Sequence, residues 1–255
     1  MGYSKRKRGK MEVLMKIKNI SVSVGKKKIL KKLFFEIYQG ESLGIIGESA
    51  SGKTTLLHVL GEFLSANSFQ VKGEIEYPKK KKPRSYMILQ DAIHSLNPYE
   101  KIGKQLRETY SFHHKEEKKE KQSLEIHKIL LSLGFENIET VLSSYPSALS
   151  GGMRQRIAIA LILCCEVELL LADEPTTALD AVNQFRFVQL LQNICRERKI
   201  TLVYVSHDIR ILMQLCQRIL VIKEGKIIED SGREAIWEEP KHEYTKKLIY
   251  SVKSL

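Results

Sequence analysis

Leu43-Gly44-Ile45-Ile46-Gly47-Glu48-Ser49-Ala50-Ser51-Gly52-Lys53-Thr54-Thr55 is the stretch that decides the fold of this chain. Its first four residues form a short apolar run that fits a buried strand, Gly47–Gly52 reads as a loop, and Lys53–Leu64 has helical spacing. Strand, loop and helix in that order are the context that G-x-x-x-x-G-K-T needs in order to bind phosphate; without them it is a turn matching by chance. In that context the loop amides and the positive end of the helix cradle phosphate oxygens. Gly47, Glu48, Ser49, Ala50, Ser51, Gly52, Lys53, Thr54 and Thr55 then line the cradle. Lys53 reaches the β and γ phosphates, and Thr54 offers its hydroxyl to magnesium.

Further along, Leu169-Leu170-Leu171-Ala172 reads as a second buried strand that delivers Asp173 and Glu174 to its C-terminal end, where ligands gather in open α/β sheets. Two adjacent acids at that place suit phosphoryl transfer, with Asp173 holding magnesium and Glu174 polarising the attacking water. The bland alternative is a polar turn before Pro175. A third apolar run, Ile200–Val205, ends in Ser206-His207-Asp208 and directs His207 toward the same γ phosphate. A lone histidine is more often structural, and only its place at a strand end argues otherwise. Val13–Val24 alternates as a strand and pairs with Ile29–Ile37 across Gly25–Lys28. Between positions 90 and 150 the chain reads as mostly helical, with Ile102–Tyr110 and Leu124–Leu133 joined by a Lys/Glu-rich link. Ser150-Gly151-Gly152 precedes an amphipathic helix from about Met153 to Leu163, so the amides of that turn face outward at a helix N-terminus and suit a phosphate.

Composition sets the bounds. A chain of 255 residues with 43% apolar content buries a core sufficient for one α/β domain with a subdomain. The uncharged apolar run Ile157–Cys165 falls far short of the roughly 20 residues that span a bilayer. Met1–Lys10 is basic, lacks the apolar run of a secretory signal and reads as a disordered lead-in to a cytosolic protein. Cys164, Cys165, Cys195 and Cys216 lie among apolar residues without metal-ligand spacing, which points to reduced, buried thiols. The net charge of +12 is concentrated at Lys5–Lys10, Lys26–Lys32, Lys79–Arg84 and Lys115–Lys121. Termini, turns and mixed Lys/Glu segments usually carry such runs as solvated faces, so no direct nucleic-acid partner is expected.

Taken in order, these motifs resemble the ATPase subunit of an ATP-binding cassette transporter, and the resemblance covers nearly the whole chain. They are the Walker A loop Gly47–Thr54, a Q-loop at Gln90, the cassette motif Leu149-Ser150-Gly151-Gly152-Met153, the Walker B strand ending at Asp173 with Glu174, the D-loop Ala178-Leu179-Asp180, and the switch His207. The resemblance implies an α/β P-loop NTPase fold with a RecA-like core, an antiparallel β subdomain and a helical subdomain. The cassette domain would run over 11–255, with the core at about 11–90 and 151–232, the helical subdomain at about 91–150 and a tail at 233–255. It further implies a head-to-tail dimer with ATP between the Walker A loop of one subunit and Ser150-Gly151-Gly152 and Asp180 of the other. Gln90 would sense magnesium and the γ phosphate at a hinge, and Thr54 and Asp173 would hold that magnesium. The partners implied are a second cassette subunit, in a heterodimer or a homodimer, two membrane permeases and an extracellular or periplasmic solute-binding protein, with this chain peripheral at the cytoplasmic face of the membrane.

Gln90-Asp91, Ser95-Leu96-Asn97-Pro98, the methionine at position 153 and the tail Pro240-Lys241-His242-Glu243-Tyr244-Thr245 resemble the oligopeptide, dipeptide and nickel importers. Peptide-importing members often carry a longer, cysteine-containing C-terminal extension, and by that comparison the chain resembles the nickel or metal-chelate branch, with a di- or oligopeptide importer as the alternative. A soluble cassette ATPase acting on DNA or ribosomes is the rival from another class, supported by the charge; the long coiled coils or second cassette of those types do not occur in this sequence. Two positions depart from the family pattern. Val24 stands where an aromatic residue usually stacks on adenine, so stacking of ~1–3 kcal/mol is expected to be weakened. Ala50 stands where glycine is usual. Tyr38 is a candidate substitute stack, with a strand-edge core role the stronger reading.

Overall fold

The computed structural model describes residues 11–65, 68–88, 96–177 and 179–253, which form two compact units. The first unit holds two sheets. Strand β1 (Val13–Val24) lies between β2 (Lys27–Tyr38) and β4 (Gln70–Glu76), antiparallel to both. The second sheet has the order β5-β6-β7-β3-β8-β9, with β3 at Ser42–Gly47, β5 at Ser85–Ile88, β6 at Leu169–Asp173, β7 at Thr201–Val205, β8 at Arg218–Lys223 and β9 at Lys226–Gly232. Strands β6, β7, β3 and β8 run parallel, and β9 closes the edge antiparallel to β8. Every residue of β6 and β7 is buried, as parallel strands covered on both faces require.

One core joins the sheets. Helix α1 (Lys53–Leu60) supplies Leu56, Leu57, Val59 and Leu60; β3 supplies Leu43 and Ile45; β6 supplies Leu169 and Leu171; β7 supplies Val203 and Val205; the antiparallel sheet adds Met15, Ile17, Leu33 and Phe35. On the other face, α7 (Ile209–Leu215) packs on β3 so tightly that a Cβ on Gly44 would stand 3.2 Å from Leu212 and Cys216. Helix α6 (Ala181–Arg198) and the tail helices α8 (Arg233–Glu238) and α9 (Glu243–Lys253) complete the described secondary structure that lies wholly or partly in this unit.

The second unit is helical: α2 (Ile102–His113), α3 (Lys119–Ser132), α4 (Ile138–Ser143), α5 (Gly151–Leu163) and the start of α6. Ile102, Leu106, Ile126, Ile129, Leu130 and Ile157 are buried. Gln122 Nε2 bonds the Arg107 carbonyl and the Ser111 hydroxyl, both at 2.7 Å, satisfying its buried amide.

Several boundaries differ from the sequence expectation for local reasons. Helix α1 stops at Leu60 rather than Leu64, because Gly61 caps it and Glu62 turns to φ 57°. Helix α3 starts at Lys119, inside the expected Lys/Glu link, because Lys, Glu and Gln are good helix formers and Glu120 sits in the first turn, where a negative charge suits the helix N-terminus. Helix α5 begins two residues early at Gly151, and it is not one-sided, since four consecutive residues, Ile157 to Ala160, are all buried. The hairpin turn is Gly25-Lys26 alone, with Lys27 and Lys28 already in β2. Among the described residues no helix is long and apolar enough to cross a membrane.

Candidate functional site

The loop between β3 and α1 owes its shape to two glycines. Gly47 runs so close to β8 that a Cβ there would stand 2.1 Å from the Ile222 carbonyl oxygen. Gly52 caps α1 at φ 102°, where a Cβ would also meet Leu30 at 2.6 Å. No side chain caps the helix N-terminus, which leaves the amides of its first turn to a ligand. Ala50 stands at φ 61°, a left-handed conformation that explains why glycine suits this position better. Lys53 is buried to 7% exposure, and its Nζ donates to the Gly47 and Glu48 carbonyls at 2.9 Å each, so the ammonium lies along the inside of the loop.

The parallel sheet brings the acids to the same unit. Asp173 is 9% exposed at the end of β6. Burial lifts its carboxyl above the ordinary aspartate range and Glu174 adds to the rise, while Thr54, His58 and Lys53 pull it down. Burial likewise holds the Lys53 ammonium below the usual lysine range, against the opposite pull of Glu174 and Asp173. One cation and two carboxylates thus share a partly dehydrated cluster at the loop. Glu174 follows Asp173 at φ 46°, with its amide donating to the Val205 carbonyl at 3.1 Å. That strained backbone aims the carboxylate at His207, whose Nδ1 is 2.9 Å from Glu174 Oε2. His207 remains exposed. The structure therefore joins Lys53, Thr54, Asp173, Glu174 and His207 in one site.

The other candidates lie in the second unit or outside the description. Ser150 caps α5, its hydroxyl accepting from the Met153 amide at 3.3 Å. A Cβ on Gly152 would meet nothing within 4 Å, so this end of the helix is open. Ser150, Gly151 and Gly152 line a cavity of about 560 Å³ together with Leu179, Asn183 and Arg186. Asp180 serves as a helix cap here: its Oδ1 accepts from the Val182 and Asn183 amides at 3.0 Å, and these bonds, that from Asn183 first, hold its carboxyl low. Gln90, Asp91, Ser95 and Ala178 lie outside the described residues, as does Met1–Lys10. Val24 is 41% exposed at the end of β1. Tyr38 is engaged elsewhere, its hydroxyl donating to Glu36 at 2.9 Å and its ring lying under the Arg218 guanidinium at 5.7 Å. All four cysteines are buried.

Gln155 is a residue the sequence reading passed over. It is 5% exposed and donates to the Pro175 carbonyl at 2.7 Å, fixing the chain just after Glu174. A polar residue in the mostly apolar face of a buried helix was the available signal.

The ABC transporter family profile matches residues 30–177, more than half of the chain. The chain belongs to the ABC transporter family. Its ATP-binding proteins are ATPases coupled to transport, and this chain is one of them. The oligopeptide transport ATP-binding protein AppD of Bacillus subtilis is 32% identical over 95% of this chain and 79% of that protein. The dipeptide transport ATP-binding protein DppD of Bacillus subtilis is 35% identical over 96% of this chain and 78% of that protein. The glutathione import ATP-binding protein GsiA of Escherichia coli is 32% identical over 93% of this chain and 41% of its own length, so the chain spans about two fifths of that relative. The fold matches CbiO1 of Clostridium perfringens, part of the ABC transporter complex CbiONQ, with TM-score 0.78 at 22% identity over 95% of each chain. The cargoes named for these transport and import relatives are peptides and glutathione, which turns the reading away from the nickel branch expected from the sequence. The ABC ATPase fold, with its antiparallel sheet and helical part, is the one the resemblance implied.

Proposed function

We propose that this ABC ATPase powers import of di- or oligopeptides. The observation that carries the reading is identity of 32–35% over 94–96% of the chain to three ATP-binding proteins of peptide transport. In this reading Gly47–Thr55 receives the triphosphate, and the Lys53 ammonium leaves the loop carbonyls for the β and γ phosphates. Thr54 and Asp173 are hard oxygen donors of the kind magnesium takes and would hold it, with Gln90 as a further ligand. Bound magnesium neutralises charge on the transferring phosphoryl group.

Glu174 accepts the proton of the attacking water, and His207, 2.9 Å away, orients that carboxylate. Ser150, Gly151 and Gly152 of a second cassette subunit close the far side of the nucleotide in trans, with that subunit's Asp180 beside them. The second subunit is another cassette protein or a second copy of this chain. Two permeases carry the solute, a binding protein delivers it, and the ATPase lies peripherally on the cytoplasmic face of the membrane. Recovery of the tagged chain from native membranes in mild detergent, followed by ATPase assays, tests this. Co-purifying permeases and stimulation by short peptides support it; stimulation by nickel or nickel chelates alone overturns the peptide cargo.

A further inference from the structure

We propose that a lysine-lined cavity on the antiparallel sheet is an electrostatic contact for an anionic membrane surface. The inference rests on the reading of this ATPase as peripheral on the cytoplasmic face of the membrane. The cavity, of about 750 Å³, lies within the first unit and is lined by Lys28, Lys31, Lys32, Lys72 and Lys226, with Phe34 beside them. Among the described residues, neither a carboxylate nor an arginine lines it. A run of lysines is ordinarily a solvated face; here the fold gathers lysines from separate segments. Cross-strand pairing sets Ser23 opposite both Lys28 and Gln70 and sets Ser21 opposite Lys72, so Lys28 and Lys72 stand on one face of the sheet. The Lys32 amide donates to the Ser21 hydroxyl at 3.0 Å, from a backbone turned to φ 53°. The Lys31 amide donates to the Gly225 carbonyl at 2.8 Å, which ties β2 to the turn that carries Lys226.

Neutralisation stops short of this patch. Elsewhere on the same sheet Lys16 pairs with Glu36 at 3.7 Å and Lys18 pairs with Glu76, whereas the five cavity lysines have no ion-pair partner among the described residues. Like charges gathered in this way repel one another, and a negative surface laid against them relieves the repulsion. The kind of cation indicates the occupant. A site for a single carboxylate or phosphate favours the planar fork of arginine, while lysine is a point charge on a flexible stem and suits a diffuse negative surface. Phe34, 62% exposed, sets an apolar ring beside these cations, the combination that lies at the headgroup boundary in interfacial segments. Anionic lipids give the cytoplasmic leaflet the matching negative potential.

The test is co-sedimentation of the purified full chain with vesicles of phosphatidylcholine, alone or with about 30% phosphatidylglycerol. The chain should bind the anionic vesicles only, and more weakly as salt rises. Lys32→Gln, Lys72→Gln and Lys226→Gln together remove exposed charges of the patch. At roughly 5-fold per lysine, partitioning of that variant should fall about 100-fold, with its thermal midpoint at or above that of the wild type. Lys115→Gln, Lys118→Gln and Lys119→Gln remove the same charge from exposed positions of the second unit; partitioning should then change by less than about 3-fold. Unchanged partitioning in the patch variant, or an equal loss in the second variant, overturns the contact. Capture by immobilised polyglutamate without vesicle binding overturns it too, in favour of an acidic protein. The assay uses neither nucleotide nor permease, so its failure leaves the ATPase reading standing, and permeases missing from the native-membrane preparation would overturn that reading while the vesicle result stands.

Discussion

Arg218→Met is expected to remove about 3–5 kcal/mol of folding stability, the usual cost of breaking a buried ion pair from one side. Arg218 opens β8 at 6% exposure. Its Nε and Nη2 bond Asp230 of β9 at 2.5 and 2.8 Å, and its Nη1 bonds the Glu36 carbonyl of β2 at 2.9 Å and both Glu41 oxygens at 3.2 and 3.3 Å. The cost is not shared evenly. Asp230 has a side chain 35% exposed and rehydrates, so its share falls toward the ~0–1 kcal/mol of a surface pair. Glu41 is 3% exposed and keeps only the Tyr38 amide, at 2.7 Å, so most of the penalty is its uncompensated charge.

Burial already raises the Glu41 carboxyl above its ordinary range, with Arg218 pulling it down; removing the arginine lets it rise further. A carboxyl whose folded pKa lies above its unfolded value binds a proton more tightly when folded. That contribution is fully present below the unfolded pKa and is lost as pH rises through the folded one. The deficit of the variant is therefore largest at neutral pH and narrows on acidification toward the ordinary carboxylate range. Urea unfolding of wild type and variant at several pH values measures both. Adding Glu41→Gln should recover most of the glutamate's share. A deficit below about 1 kcal/mol at neutral pH, or one that stays constant on acidification, refutes the reasoning.

Three further outcomes follow from the site. Ala50→Gly should stabilise the chain by about 0.5–1 kcal/mol in thermal unfolding, because release from φ 61° outweighs the added freedom of the unfolded state. Lys53→Ala should weaken ATP binding roughly 10- to 100-fold by calorimetry, through loss of a charged contact to phosphate. Ser150→Arg should cost about 1 kcal/mol of stability as the cap of α5 is lost, leave ATP binding by the isolated chain intact, and abolish turnover in the assembled complex.

Much of the site was legible because its chemistry is local. Gly47 to Thr54 carries strand end, loop and helix start within one stretch, and Asp173-Glu174 and His207 each end an apolar run, so parallel pairing alone collects them on one side of a sheet. The β1 strand was readable to the residue from its alternation. What escaped depends on long-range contacts. The Arg218 cluster draws on residues 36, 41 and 230, and nothing near Arg218 in sequence announces them. Asp180 was placed beside the nucleotide by resemblance, and its helix-capping bonds, which a D-x-x-N spacing allows, went unread. Helix ends shifted because single residues such as Gly61 and Glu62 decide them. The tail turned the sequence reading toward nickel, while the relatives favour the peptide alternative, and in this account the tail never meets the solute.

Glu174→Gln in the membrane-assembled complex tests the central claim most directly, with Mg-ATP binding and ATP turnover measured side by side. Glutamine keeps the shape of the side chain and removes the proton acceptor, so binding should match the wild type while turnover falls about 10²- to 10⁴-fold and the closed, ATP-bound pair of cassettes accumulates. Turnover at the wild-type rate would contradict the assignment of Glu174 as the base, and with it the account of how this site hydrolyses ATP.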